Sequence, residues 1–521
     1  MERNDSAHQQ SAKWWQSSVV YQIYPRSFAD GDGDGIGDLQ GIRGRLDHLQ
    51  WLGIEVIWLS PVFRSPMADF GYDVSDYCDI DPTFGTLADM DALIMDCHGR
   101  GMRLMLDWVP NHTSDHHPWF IESSADRSNP KADWYVWRDE PANNWLASFP
   151  RGERAWEYNS TREQWYLRCF LREQPDLNWD NRDVEAAMLD TLRFWLDRGI
   201  DGFRMDVIHL IGKQLDENDP ESAIARGFGH VPFNDVAVTH ERIRRIRTLL
   251  DSYDGDRVCV GEVYLLDEAR MATYYGDDDE LHLSFNFGFL WARWDAATIR
   301  TKISSTLAHL RPRAGWPTWV LSNHDVPRHR QRYGGSEAAA RMAAVLLLTL
   351  PGTPFVYQGE ELGLVDAVVR PDRVVDPGGR DGCRAPMPWT NEPGHGWAHE
   401  PWLPFVEDAD TANAGNQILD PDSMLNLYRD LLHLRQAHPA LQTGGFTMID
   451  RTDEVVAYER MSTTHDGHRR VYVVALNLGD QPATVDELDG ARLLACTVPT
   501  TLTPPATAEL APQTACIVLR A

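Results

Sequence analysis

Acids and histidines recur where apolar runs end. "RLMLDWV" leads to Asp107, with Asn111 and His112 just beyond; "GFRMDV" carries Arg204 and Asp206; "VCVGEV" carries Glu262; and "TWVLSNHD" closes on His324 and Asp325. Alternate side chains of a strand share a face, so Arg204 and Asp206 lie together in a segment whose other members, Phe203, Met205 and Val207, are apolar. A guanidinium beside a carboxylate favours its charged form and fixes its orientation, which suits a nucleophile. A second carboxylate nearby can give and take a proton. Taken singly, a strand-end acid is as readily a helix cap or turn residue. Convergence of several at one end singles them out, because each resists desolvation.

The elements that must position them alternate. Eight strand candidates, 19–24, 55–60, 103–109, 202–207, 258–263, 283–287, 318–325 and 353–359, are separated by amphipathic stretches such as "DLQGIRGRLDHLQWLG" and "EAAMLDTLRFWLDRG", each with Gly at its end. This alternation predicts an α/β fold, a (β/α)8 TIM barrel over 1–107 and 182–444, with the active residues at the C-terminal ends of its strands. Residues 108–181, rich in Trp, Asn, Pro and charge, are far too long for an ordinary βα loop and predict an inserted subdomain after the third strand. From 445 to 521 short alternating runs, "EVVAYERM", "RVYVVALNLG", "ARLLACTV" and "TACIVLR", predict a C-terminal antiparallel β-sandwich.

Composition narrows the partners. With 49 Lys and Arg against 78 Asp and Glu, a formal charge of −29 repels phosphate backbones and anionic membranes, so neither nucleic acid nor membrane is expected as a partner. Nor does any motif imply a protein partner. No apolar run reaches membrane-spanning length and "MERNDSAHQQSAKWWQ" has no signal-peptide core, which predicts a cytoplasmic location. Seven scattered cysteines without CxxC spacing read as reduced thiols. A neutral substrate is indifferent to the acidic field, and twenty Trp, seventeen Phe and sixteen Tyr offer flat faces to sugar rings.

"DWVPNH" (107–112), "GFRMDV" (202–207), "GEVY" (261–264) and "SNHD" (322–325), in that order and on those strands, resemble the four sequence blocks of the α-amylase family of glycoside hydrolases. "GIEVIWLSPVF" (53–63) and "QPDLNW" (174–179) resemble two further blocks, the latter pointing to the oligosaccharide α-glucosidase and oligo-1,6-glucosidase branch. The resemblance implies Asp206 as nucleophile, Glu262 as general acid and base, and Asp325 as the third acid that holds the distorted sugar. It implies His112 and His324 as hydrogen-bond donors to the transition state, and Arg204 as the partner that orients Asp206. Asp69 and Arg384 would together grip the terminal hydroxyls of a nonreducing glucose, with Tyr72, Phe149 and Phe170 as stacking walls. A pocket closed in this way releases one glucose at a time. The implied activity is a retaining exo-acting α-glucosidase on maltose and short maltooligosaccharides, with oligo-1,6-glucosidase or α-glucosyltransferase as alternatives on the same triad.

No cofactor is expected for catalysis. In "DGDGDGIGD" (30–38) the side chains of Asp30, Asp32, Asp34 and Asp38 and the Ile36 carbonyl are arranged to wrap a hard cation. An EF-hand is excluded, since Gly41 stands where its bidentate Glu would be. The loop resembles the structural calcium loop of the α-glucosidase branch, with Mg²⁺ the other candidate ion. A metal-dependent phosphohydrolase would require paired ligands around two ions and basic groups for phosphate. A noncatalytic relative would lack the acids. On linkage, Val207 resembles enzymes that accept α-1,6 bonds whereas the following "IHLIGK" departs from them, which leans the expectation to α-1,4.

Overall fold

The computed structural model of the chain describes residues 12–225, 235–464, 466–498 and 508–520. The reading of residues 1–16 as free of a signal peptide therefore lies largely outside the described residues. All eight expected strands form: β1 (Val20–Ile23), β2 (Val56–Leu59), β3 (Arg103–Trp108), β4 (Gly202–Met205), β5 (Val258–Gly261), β6 (Leu283–Ser284), β7 (Thr318–Val320) and β8 (Thr353–Tyr357). They pair in parallel in the order β6-β5-β4-β3-β2-β1-β8-β7. The ring is joined between β6 and β7 by the Thr318 hydroxyl, which donates to the Ser284 carbonyl.

Strand parity explains the opening pattern. One face of the strands, with Tyr21, Ile23, Ile57, Leu59, Leu104, Leu106, Phe203 and Met205, packs outward against the helices. The other face lines the barrel, where Val20, Val56, Trp58, Met105, Val258, Val260 and Phe355 form a separate apolar cluster. Along that inner face the buried polar side chains of Gln22, Asp107, Arg204 and His324 gather towards the C-terminal ends. Register sets Asp107 directly beside Arg204. The barrel is close enough at Gly202 that a Cβ would meet both Val258 Cγ1 and the Val258 carbonyl oxygen at 2.5 Å.

The helices start and stop where their residues dictate. Arg182–Asp197 is capped by Asn181, whose side chain accepts from the Asp183 amide. Just beyond its end, Gly199 takes φ +101°. The stretch after β3 carries the helix Pro118–Ala125 and a three-stranded antiparallel sheet built from 137–138, 156–159 and 164–167, so the inserted subdomain has its own sheet and aromatic core. At the C-terminal end five antiparallel strands, Gly445–Met448, Val455–Thr463, Arg469–Asn477, Arg492–Cys496 and Thr514–Arg520, form one sheet. Val456, Tyr458, Val474 and Ile517 on one face join the barrel core, whereas Val455, Ala457, Val473 and Val518 pack beneath Val485, Leu488 and Leu510 on the other. Among the described residues no helix is long and apolar enough to cross a membrane.

Just after β8, Glu360 is buried with Tyr428 and His329 as neighbours, and burial pushes its carboxyl from 4.5 up to about 8. A raised folded pKa means that the stability from this group is full below pH 4.5 and is lost as pH rises through about 8. Gln mimics the protonated acid and does not titrate. Glu360→Gln is thus expected to gain on the wild type by about 1.4 kcal/mol per pH unit between pH 5 and 8, read by urea unfolding at pH 5.5 and 7.5. A difference independent of pH would show that Glu360 is ionised in the folded chain throughout.

Candidate active site

At the C-terminal mouth of the barrel lies a cavity of about 600 Å³, within the range for small-ligand sites. Asp206, Glu262 and Asp325 line it, together with Asp69, Tyr72, His112, Phe149 and Phe170. Three separate strand ends, the loop after β2 and the inserted subdomain therefore supply one site.

Arg204 is its electrostatic centre. Its Nη1 donates to Asp206 Oδ1 and to Asp107 Oδ1, each at 2.7 Å, and its Nη2 donates to Glu262 Oε2 at 2.5 Å. The same Glu262 oxygen accepts from the Val207 amide at 3.1 Å. That amide is turned inward because Val207 sits in the left-handed region at φ 34°, a conformation that costs a β-branched residue about 1–3 kcal/mol. Three carboxylates share one guanidinium, so their charges cannot all be compensated. Burial pushes Asp107 up to about 7 against the pull of Arg204. Asp206 is likewise raised, first by burial and then by the charges of Glu262 and Asp107, again against Arg204. Burial and crowding thus hold both Asp107 and Asp206 above the usual carboxylate range.

Asp325 behaves oppositely. Burial opposes its charge and His324 touches it, Nε2 to Oδ2 at 3.3 Å, but burial also pushes His324 down to about 3, leaving that ring neutral. The guanidiniums of Arg380, Arg384 and Arg204 are what hold the Asp325 carboxyl below the usual carboxylate range. His324 is fully buried and stacked on the Tyr72 ring at 5.5 Å. It bears on the pocket through Asp325 and Tyr72, whose hydroxyl lies 2.6 Å from His324 Nε2 and donates to Asp107 Oδ2 at 3.0 Å. His112, also pushed down by burial to about 4, faces the cavity with its Nε2 3.2 Å from the Tyr72 carbonyl.

Asp69 and Tyr72 are presented by a loop folded around Asp73. The Asp73 carboxylate accepts from the Ala68 and Asp69 amides, each at 2.9 Å, and from the Ser65 hydroxyl. The arginine facing Asp69 is a correction to the sequence reading. Arg384 is wholly buried behind the wall, with its Nε donating to the His324 carbonyl and its Nη groups to Asp325 and Asp376. Arg380 is the residue that reaches into the cavity, donating to Asp69 Oδ1 at 2.6 Å and to Asp325 Oδ1 at 2.9 Å beneath the Phe149 ring. Both arginines belong to "GRDGCR", and their order along a 3-10 turn, Asp381–Arg384, decides which faces out. Gln174, which opens "QPDLNW", is a second omission: its Nε2 donates to Asp69 Oδ2 at 3.3 Å. Val207, Leu210, Tyr264 and Leu266 add an apolar lining beside Ser148, Arg151 and His209.

In the acidic loop, Asp30, Asp32 and Asp38 bring ligand oxygens within 4.8 Å of one another. Asp34 stands outside that group and accepts from the Ile36 amide. Asp38 doubles as a helix cap, accepting from the Gly41 amide.

A (β/α)8 barrel whose mouth carries a guanidinium-bridged carboxylate pair and a third acid defines a glycoside hydrolase. The chain belongs to the alpha-amylase family, and the family model "Alpha amylase, catalytic domain" matches residues 22–444. It is 42 % identical over 519 residues, 92 % of both chains, to a probable alpha-glucosidase of Rhizobium meliloti (strain 1021). It is 37 % identical to the oligo-1,6-glucosidase of Parageobacillus thermoglucosidasius, over 85 % of this chain and 87 % of that one. Among solved structures it is similar to an alpha-glucosyl transfer enzyme, XgtA, at 40 % identity and a TM-score of 0.88, covering 98 % of this chain and 100 % of the other.

Proposed function

We propose that the protein is a retaining exo-acting α-glucosidase that releases α-glucose from the nonreducing end of short α-glucosides, maltose and maltooligosaccharides first among them. The observation that carries this reading is Arg204 bridging Asp206 and Glu262 at 2.7 and 2.5 Å, which ties the two carboxylates to one guanidinium and so keeps them close together, as a double displacement requires. Asp206 attacks the anomeric carbon while Glu262 gives its proton to the departing glycosidic oxygen. Glu262, now ionised, then takes a proton from water as that water attacks the same carbon and frees Asp206. Asp69 and Arg380 close the far end of the pocket around the terminal hydroxyls, with Asp325 and His112 on the ring.

Glucosyl transfer is a second reading, favoured by the apolar side chains of Val207, Leu210 and Leu266 in the cavity lining, which hold water poorly. The test is NMR of the first-formed anomer from maltose, isomaltose, sucrose and trehalose given separately. α-Glucose from maltose supports the hydrolase; glucosylated maltose ahead of free glucose supports transfer; β-glucose first would overturn the mechanism.

The same proposal assigns a structural Ca²⁺, or Mg²⁺, to Asp30, Asp32 and Asp38, whose converging carboxylates fit a hard cation. Chelation with EDTA is expected to remove up to about 4 kcal/mol of stability at a thousandfold excess of ion over Kd, seen as a Tm lower by several degrees and restored by Ca²⁺. A Tm indifferent to both would dismiss the ion.

A further inference from the structure

The geometry points to Asp376, a residue outside the cavity, as the positioning residue that holds Arg380 across Asp69 and Asp325 and so keeps the far end of the sugar pocket closed. This inference rests on the α-glucosidase reading.

Asp376 is 2 % exposed and does not line the cavity. Its Oδ1 accepts from Arg380 Nη2 at 2.7 Å and from Arg384 Nη1 at 3.3 Å, while its Oδ2 accepts from Arg380 Nε at 3.0 Å and from the Arg380 amide at 2.7 Å. One carboxylate therefore fixes both the backbone and the fork of Arg380. Burial works against its charge, but the Arg380 hydrogen bond and the fields of both arginines outweigh it and keep the carboxyl below the usual range.

The loop itself is held for this purpose. Asp381, also buried, accepts from the Val375 and Asp376 amides, so the turn between them cannot open without losing bonds in both directions. Pro377 and Gly378, inside that turn, form part of the cavity wall.

The function of the arrangement follows from counting charges. Asp69 and Asp325 both accept from Arg380, and a guanidinium drawn between two carboxylates has two competing poses. Asp376 selects the single pose that serves both, leaving the Arg380 face towards the cavity ready for hydroxyl groups. A long side chain ordered before substrate arrives spares that entropy on binding.

Asp376→Asn is expected to lower kcat/KM for maltose about 30-fold, chiefly through KM, and to weaken competitive inhibition by glucose in parallel. The fraction of sites trapped as covalent glucosyl-enzyme by a slow glucosyl fluoride should stay at the wild-type value, which a folding defect would not allow. In an Arg380→Ala background the same substitution should cost less than about twofold, because the residue through which Asp376 acts is gone. A wild-type KM in Asp376→Asn, or a penalty that persists in full without Arg380, would overturn the inference. Should Asp376→Asn fail to fold, Asp376→Glu carries the test: its longer arm displaces Arg380 and must raise KM, and an unchanged KM overturns the proposal equally. A wild-type enzyme inert to α-glucosides would instead overturn the activity on which the inference rests.

Discussion

Asp206→Asn is expected to lower kcat on maltose by about 10⁴- to 10⁶-fold, the range seen when a covalent nucleophile is removed from an intact site. The amide cannot form or release the glucosyl ester. The same change should leave the chain more stable, by about 1–3 kcal/mol near neutral pH, because it removes one of three buried carboxylates competing for Arg204. Steady-state rates and thermal unfolding measured on one preparation check both halves. Retained turnover would deny Asp206 its role, and a destabilised, inactive variant would show that its charge is needed for packing.

The second large effect separates two arginines. Arg380→Ala should lower kcat/KM about 10³-fold, since it strips the Asp69 and Asp325 carboxylates of their shared partner at the cavity surface, a loss equivalent to about 4 kcal/mol. Arg384→Ala removes a wholly buried guanidinium that touches the His324 carbonyl, Asp325 and Asp376. Its main expected cost is stability, about 3–5 kcal/mol, with a smaller change in KM for the protein that remains folded. Tm and KM for each variant decide the matter, and the reverse pattern would return the hydroxyl-gripping role to Arg384.

The electrostatics account for why these effects are large. Asp325 is held ionised and Asp206 is pushed towards its protonated form, although both stand in one cavity. The difference lies in the cations available: Asp325 shares two, Arg380 and Arg384, with Asp69 and Asp376, whereas Asp206 shares the single Arg204 with Asp107 and Glu262. Groups whose environments drive their pKa values apart are those able to take different roles in one reaction. The charge held on Asp325 is thereby available to the sugar.

By itself the sequence determined the barrel, the inserted subdomain, the C-terminal strands and the three acids. Those features are written locally: strand period, helix caps and strand-end polar residues are properties of a few consecutive side chains, and Asp206 follows Arg204 by two on one face whatever surrounds them. The tertiary structure alone decided which arginine of "GRDGCR" meets Asp69, that Gln174 joins it, and that Asp34 stands apart from Asp30, Asp32 and Asp38. Each of those depends on contacts between segments distant in the chain and on irregular turns without a period, where a rotation of one peptide sends a guanidinium into the cavity or behind its wall. The raised pKa values of Asp107 and Asp206 beneath Arg204 belong to the same class, because they arise from burial and from three strands converging on one cation.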